Sequence, residues 1–281
     1  MNRLKRILSL ILIVILAATA VTFAAGFDDH EIKFDKILNA RDLGGYRKKK
    51  KRKVKKKVLI RTGELSYATK RDLKKLKKEY NVKRVIDFRY RPEYKYCRDK
   101  RISGAVYKNI PAKYNNYATK KTAKRRYNRL KGKSRAGLRK AVIPDFGRAG
   151  RSYTYELVMS SYSQKKYREY FTQLLANKDA DGVVLHCVYG KDRTGVAAFM
   201  TLTALGVSEK TAYKEYAMTN AYLRKYGKKA YSRGGLGVRE ADLRYAVKKA
   251  KKKYGSLNNF LKKAYGLDAE KRAKLRAIYT E

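Results

Sequence analysis

Apolar positions along the chain follow two rhythms: short runs of strand length, and longer stripes at helical spacing. Val58-Leu59-Ile60-Arg61, Val82 to Arg89 and Val183-Val184-Leu185-His186 read as strands, with Ala105-Val106-Tyr107 and Ile110-Pro111 as a further short strand and its stop. Helical spacing marks Thr69 to Tyr80, where lysines separate Leu73 and Leu76, and the aromatic stripes Tyr153 to Met159 and Tyr167 to Leu175, which are expected to face the core. From Thr194 to Leu205 the chain is almost continuously apolar and Ala-rich and then meets Gly206, the pattern of a buried helix with a glycine stop. Ser208 to Tyr222 predicts another helix with serine at its N-cap. A loop over 232–237 and a basic helix from Arg239 to Tyr254 follow. Strands alternating with helices over 281 residues, with no Pro- or Gly-rich linker, predict one α/β domain rather than two small ones.

The chemistry concentrates where the last strand meets the buried helix. A tight loop there turns several backbone N–H groups toward one point at the positive end of the helix dipole, which makes a cavity suited to phosphate. Cys187 enters that cavity, with Val188, Tyr189, Gly190, Lys191 and Gly195 expected to shape or line it. A thiol in this setting has its pKa lowered from about 8.5 into the range of roughly 3.5 to 7.5, which makes it a nucleophile at neutral pH. Arg193, six positions on, offers a planar fork to two phosphoryl oxygens. Asp192 is placed to protonate the leaving oxygen if its surroundings keep a proton on it, and Thr194 to steady the thiolate. His186, directly before the nucleophile, reads as a hydrogen-bonding prop of the loop.

Cys187-x5-Arg193-Thr194 after a strand resembles the signature of the cysteine-dependent protein-tyrosine phosphatases. The longer His186-Cys187-x-x-Gly190-Lys191-Asp192-Arg193-Thr194-Gly195 is similar to the bacterial tyrosine/lipid phosphatase branch, which carries its acid inside the loop. Asn39-Ala40-Arg41-Asp42-Leu43-Gly44-Gly45 resembles a segment near the start of the same branch, in matching order. Asp87-Phe88-Arg89 resembles its Asp-Leu-Arg strand end, with Phe88 in place of leucine. The resemblance runs from about residue 36 to the end, apart from the basic run and the insertion described next. It implies a three-layer fold with a central, mostly parallel sheet, supporting roles for Arg41 and Asp42, and hydrolysis of phosphate monoesters through a phospho-cysteine. Asp87 and Arg89 stand open between a second-choice acid and an ion pair bracing the sheet.

Charge adds a partner class. Lysine and arginine total 72 against 24 acids, a net charge of +48, which favours polyanionic partners. Arg47 to Lys57 is basic except at Val54, and reads either as a solvated hairpin tip or as an anionic docking site. No acid occurs from Lys100 to Pro144, and this basic insertion, about 112–145, reads either as a helical lid over the site or as a disordered surface segment. Segments 47–57 and 113–140 are the candidate contacts with an anionic membrane or cell surface.

Residues 1–26 have the layout of a secretory signal: Arg3, Lys5 and Arg6, the apolar run Ile7 to Leu16, then small residues. Cleavage after Ala20 or Ala24, or retention as an anchor, would place the catalytic region 27–281 outside the cytoplasm, which disfavours a nucleic-acid role. Cys97 reads as a free thiol, although a Cys97–Cys187 disulfide would switch the enzyme off. No His/Asp/Cys cluster has metal-ligand spacing, so neither metal nor cofactor is expected. Three functions remain open: a tyrosine phosphatase, with or without dual specificity; a phosphoinositide or inositol polyphosphate phosphatase; and a non-catalytic polyanion-binding surface protein.

Overall fold

Three strands apolar on both faces can be satisfied only at the centre of a covered sheet, and that is where they lie. The computed structural model describes residues 30–47, 52–112, 120–134, 137, 150–224 and 237–281. Its sheet contains β1 (Arg41–Asp42), β2 (Leu59–Thr62), β3 (Val82–Asp87), β4 (Val106–Asn109) and β5 (Gly182–His186), in the order β1-β2-β5-β3-β4. β1 runs antiparallel to β2; every other pairing is parallel. The leader expected at 1–26, much of the insertion and residues 48–51 lie outside the described residues.

Alternation along the strands sends Ile60, Val85 and Val184 to one face, where they pack with Leu65, Leu76 and Ile32. Helix α1 (Lys70–Lys78) covers that face. Thr69 opens it with a reciprocal cap, the hydroxyl accepting from Asp72 N–H and the Asp72 carboxylate from Thr69 N–H. Leu59, Ile86, Val183 and Leu185 face the larger core on the other side. That core is built from α4 (Gly150–Met159), α5 (Ser161–Leu175), α6 (Arg193–Leu205), α7 (Glu209–Arg224), α8 (Glu240–Tyr254), α9 (Leu257–Tyr265) and α10 (Ala269–Tyr279). Helix α6 is buried on nearly every side, as its sequence predicts, and stops at Gly206 with φ 95°. The result is the expected three-layer α/β architecture.

Three local differences matter. The chain forms a six-residue helix, α2 (Arg91–Tyr96), that apolar spacing does not predict; Pro92 lies in its first turn and the Glu93 carboxylate accepts from Tyr90 N–H at 2.9 Å. The basic run pairs back on itself as a hairpin, Arg47 against Lys53, with its tip at 48–51 outside the described residues, and its returning arm does more than meet solvent. Val54 is buried and bridges to Thr280, while Lys53 and Glu281 exchange backbone hydrogen bonds at 2.7 and 2.9 Å, so this segment holds the C-terminus. Within the insertion, α3 (Lys120–Leu130) is helical and buries Leu130.

Candidate active site

Strand register sets the floor of the site. His186 at the end of β5 lies beside Thr62 of β2 and Asp87 of β3, so three parallel strands deliver their carboxyl ends to one place, where ligands gather in open α/β sheets. Cys187 follows at once and α6 begins at Arg193, which leaves residues 187–192 as the loop between them.

The carbonyls of this loop are held from outside. His186 Nδ1 lies 3.2 Å from Cys187 O, and Glu64 N–H donates to Val188 O at 3.1 Å. Asn39 Nδ2 donates to Tyr189 O at 2.8 Å and Gly190 O at 3.2 Å. Arg61 donates through Nε to Gly190 O and through Nη2 to Lys191 O, both at 2.9 Å. In a planar trans peptide the next N–H points opposite to the carbonyl, so the amides that follow are turned into the loop. Gly190 adopts φ +61°, and a Cβ there would come within 2.2 Å of Thr62 O. Gly195 serves packing instead, since a Cβ on it would lie 2.8 Å from the Tyr216 ring.

Behind the loop, Glu215 of α7 bridges two buried arginines, with Arg41 Nε at 2.8 Å and Arg61 Nη1 at 2.7 Å. Burial opposes its charge, but Arg61 and Arg41 outweigh burial and keep the carboxyl below its ordinary range. Arg41 Nη1 also donates to Asn39 Oδ1 at 2.8 Å. Arg41 therefore reaches the loop as a support, whereas Asp42 does not: its oxygens accept from Gly44 and Lys57 N–H at 2.7 and 2.6 Å and fasten the neighbouring turn.

The Arg193 guanidinium is aimed by α2. Its Nη1 donates to Glu93 Oε2 at 2.7 Å and to Phe88 O at 3.3 Å, and its plane rests over the Tyr90 ring at 4.4 Å. Tyr90 and Tyr153 share a hydroxyl contact of 3.0 Å, so Tyr153, which packs against the core as its stripe predicts, also reaches the wall of the site. Burial would push the Cys187 thiol up. The Arg193 charge and the hydroxyl and amide of Thr194 win, and the thiol titrates below its ordinary value.

Asp192 sits at the start of α6 without capping it, its carboxylate 3.4 Å from Lys191 Nζ. Lys191 is buried and also donates to Gly237 O at 3.3 Å, so its ammonium turns toward the segment before α8. Val188 and Tyr189 line a small cavity that Leu130 of α3 closes. Arg126 of α3 pairs with Glu64 at 3.1 Å and approaches Glu93 at 3.8 Å, so the described part of the insertion docks beside the partner of Arg193.

Asp87 is engaged by Arg89, which meets its carboxylate through Nε at 3.0 Å and Nη2 at 2.9 Å, the Arg–carboxylate pair of the bracing reading. Asp87, Asp99 and His186 lie close enough together to suggest a metal, yet Arg89 reaches both carboxylates and supplies the positive charge itself. Cys97 and Cys187 are both free and buried.

Sequence reasoning missed Glu215, Arg61, Tyr90, Asp99 and the contact of Glu93 with Arg193. Glu215 carried a signal: it shares the buried face of α7 with Ala212, Tyr216 and Thr219, and a carboxylate on such a face demands a cationic partner. Asp99, in an irregular segment after α2, carried none.

The family model described as the tyrosine phosphatase family matches residues 32–281. A Cupriavidus necator protein provisionally named a tyrosine-protein phosphatase is 27% identical over 265 residues, covering 89% of this chain and 88% of its own. A Nostoc commune tyrosine-protein phosphatase is 29% identical over 113 residues, 40% of this chain and 37% of that protein.

Glu215→Ala leaves two buried guanidinium groups without their carboxylate, and is expected to cost about 3–5 kcal/mol of stability by urea denaturation. The buried His186 ring, whose own burial works against its charge, is carried up to about 9 from 6.5 by Asp99 and then Asp87. A raised folded pKa stabilises fully below the unfolded value and is lost as pH rises through the folded one. The melting-temperature gap between wild type and His186→Gln should therefore be widest below pH 6.5 and close as pH passes about 9.

Proposed function

The chain belongs to the tyrosine phosphatase family, and from that premise we propose that it hydrolyses phosphotyrosine through a phospho-cysteine on Cys187. The observation that carries this reading is a buried thiol held below its ordinary pKa inside a loop whose amides face inward. In the first step the Cys187 sulfur attacks phosphorus, the bond from phosphorus to the leaving oxygen breaks, and Asp192 gives that oxygen a proton. The loop amides and the free edge of the Arg193 fork stabilise the charge on the equatorial oxygens. In the second step the Asp192 carboxylate takes a proton from water, the water oxygen attacks phosphorus, and the thiolate leaves. Thr194, which helps to lower the pKa of the thiol, eases that departure.

The substrate is a phosphorylated protein outside the cytoplasm. The basic, apolar and small-residue order of residues 1–26 supports export. The net charge of +48 favours a second reading, in which a phosphoinositide or an inositol polyphosphate is the substrate.

Cys187→Ser is expected to lower kcat by on the order of 10³-fold or more in a folded protein. Asp192→Asn should slow phosphotyrosine peptide turnover far more than that of p-nitrophenyl phosphate, whose leaving group needs no proton. Turnover of phosphotyrosine peptides, phosphoserine peptides and phosphoinositide vesicles by the purified protein ranks the substrates. Undiminished turnover by the serine variant would refute the nucleophile, and a strict lipid preference would reverse the ranking.

A further inference from the structure

Asp99 belongs to no motif, yet its two oxygens reach the cysteine loop by two routes. Oδ1 accepts from Leu65 N–H at 2.9 Å, and the preceding residue, Glu64, is the one whose N–H holds Val188 O. Oδ2 lies 3.1 Å from His186 Nε2 and 2.8 Å from Arg89 Nη2. On its far side the His186 ring meets Cys187 O through Nδ1 at 3.2 Å. We propose that Asp99 is a positioning residue for the nucleophile, acting through His186 on the Cys187 carbonyl and through Leu65 on the segment that holds Val188.

The charged groups around the imidazole decide its state. Asp87, from β3, lies 3.9 Å from Nδ1 but is committed to Arg89. Arg89, just beyond β3, opposes a charged ring. Glu64, from the turn after β2, pairs with Arg89 and Arg126 rather than with the ring. Asp99, from the segment after α2, is the carboxylate at contact distance, and it holds the ring in the doubly protonated form. In that form both ring nitrogens carry a proton, with Nε2 3.1 Å from Asp99 Oδ2 and Nδ1 donating to Cys187 O at 3.2 Å. A fixed cation then stands one residue before the sulfur, in a buried place where solvent does not screen it. It adds to what Arg193 and Thr194 do for the thiolate, and the carbonyl it holds keeps the Val188 amide turned inward.

The inference rests on Cys187 as the nucleophile, but its test needs no turnover. Alkylation of Cys187 by iodoacetamide, followed on its own peptide by mass spectrometry across pH, reads the thiolate fraction directly. Loss of the cation raises the thiol pKa, so Asp99→Asn should be alkylated about tenfold more slowly than wild type at about pH 6, with the two rates converging in alkali. The acid limb of kcat/KM should move to higher pH in step, and Asp99→Glu should restore part of both. His186→Gln should give the same displacement, and the double variant no more than either single one. Superimposable alkylation profiles for wild type and Asp99→Asn, or additive displacements in the double variant, would overturn the proposal. If circular dichroism shows that Asp99→Asn does not fold, His186→Gln decides alone: an unshifted profile overturns it. The phosphatase reading is scored separately by the activity of Cys187→Ser, so either can fail without the other.

Discussion

A carbonyl tied from behind turns the next amide to the front, and the cysteine loop depends on this constraint more than on any single catalytic group. Five consecutive carbonyls, from Cys187 to Lys191, are tied in this way by His186, Glu64, Asn39 and Arg61. None of these partners could hold its place alone. Arg61 is a buried cation that would be costly without Glu215, and Glu215 is a buried anion that two arginines share. The ion pair earns little net stability from its Coulomb energy. Its use is geometric, since it fixes the guanidinium that fixes the loop.

The same logic governs the front of the site. A thiolate is disfavoured by burial, and it ionises only because positive groups are already aimed at it. Arg193 would be free to swing if Glu93 and the Tyr90 ring did not confine it to one plane. Glu93 occupies one edge of the fork and leaves the other edge for a ligand. Arg126 of the insertion helix approaches the same carboxylate, so a segment with little sequence pattern is tied to the residue that orients the arginine. Site and scaffold meet in side chains that never touch the reacting atoms.

How much of this was legible depends on whether a residue announces itself locally. The central strands, the buried helix from Arg193 and its stop at Gly206 follow from apolar runs and one glycine, and Cys187 and Arg193 follow from their spacing. Asn39 and Arg41 were marked by a segment resemblance, but the contact of Asn39 with the loop 150 residues later has no periodicity to betray it. Helix α2 escaped because its cap is a glutamate reaching back to Tyr90 N–H and its faces bury little. Val54 was read as a break in a charged run; its burial depends on the chain's last residues arriving beside it. Long-range pairing decides these cases, and no local pattern encodes it.

The interior also explains the surface. Among the described residues, Asp42, Glu64, Asp72, Asp87, Asp99, Glu215 and Asp242 are buried, seven of the 24 acids in the whole chain. Most of them hold arginines, backbone amides or the imidazole beside Cys187. Acids used inside are not available outside to offset the lysines of α1, α8 and α9, which end in solvent. Among the described residues most of the lysines are thus on the exterior, where they attract dianions over about one Debye length, roughly 8 Å at physiological salt. That field speeds encounter without distinguishing one phosphate ester from another.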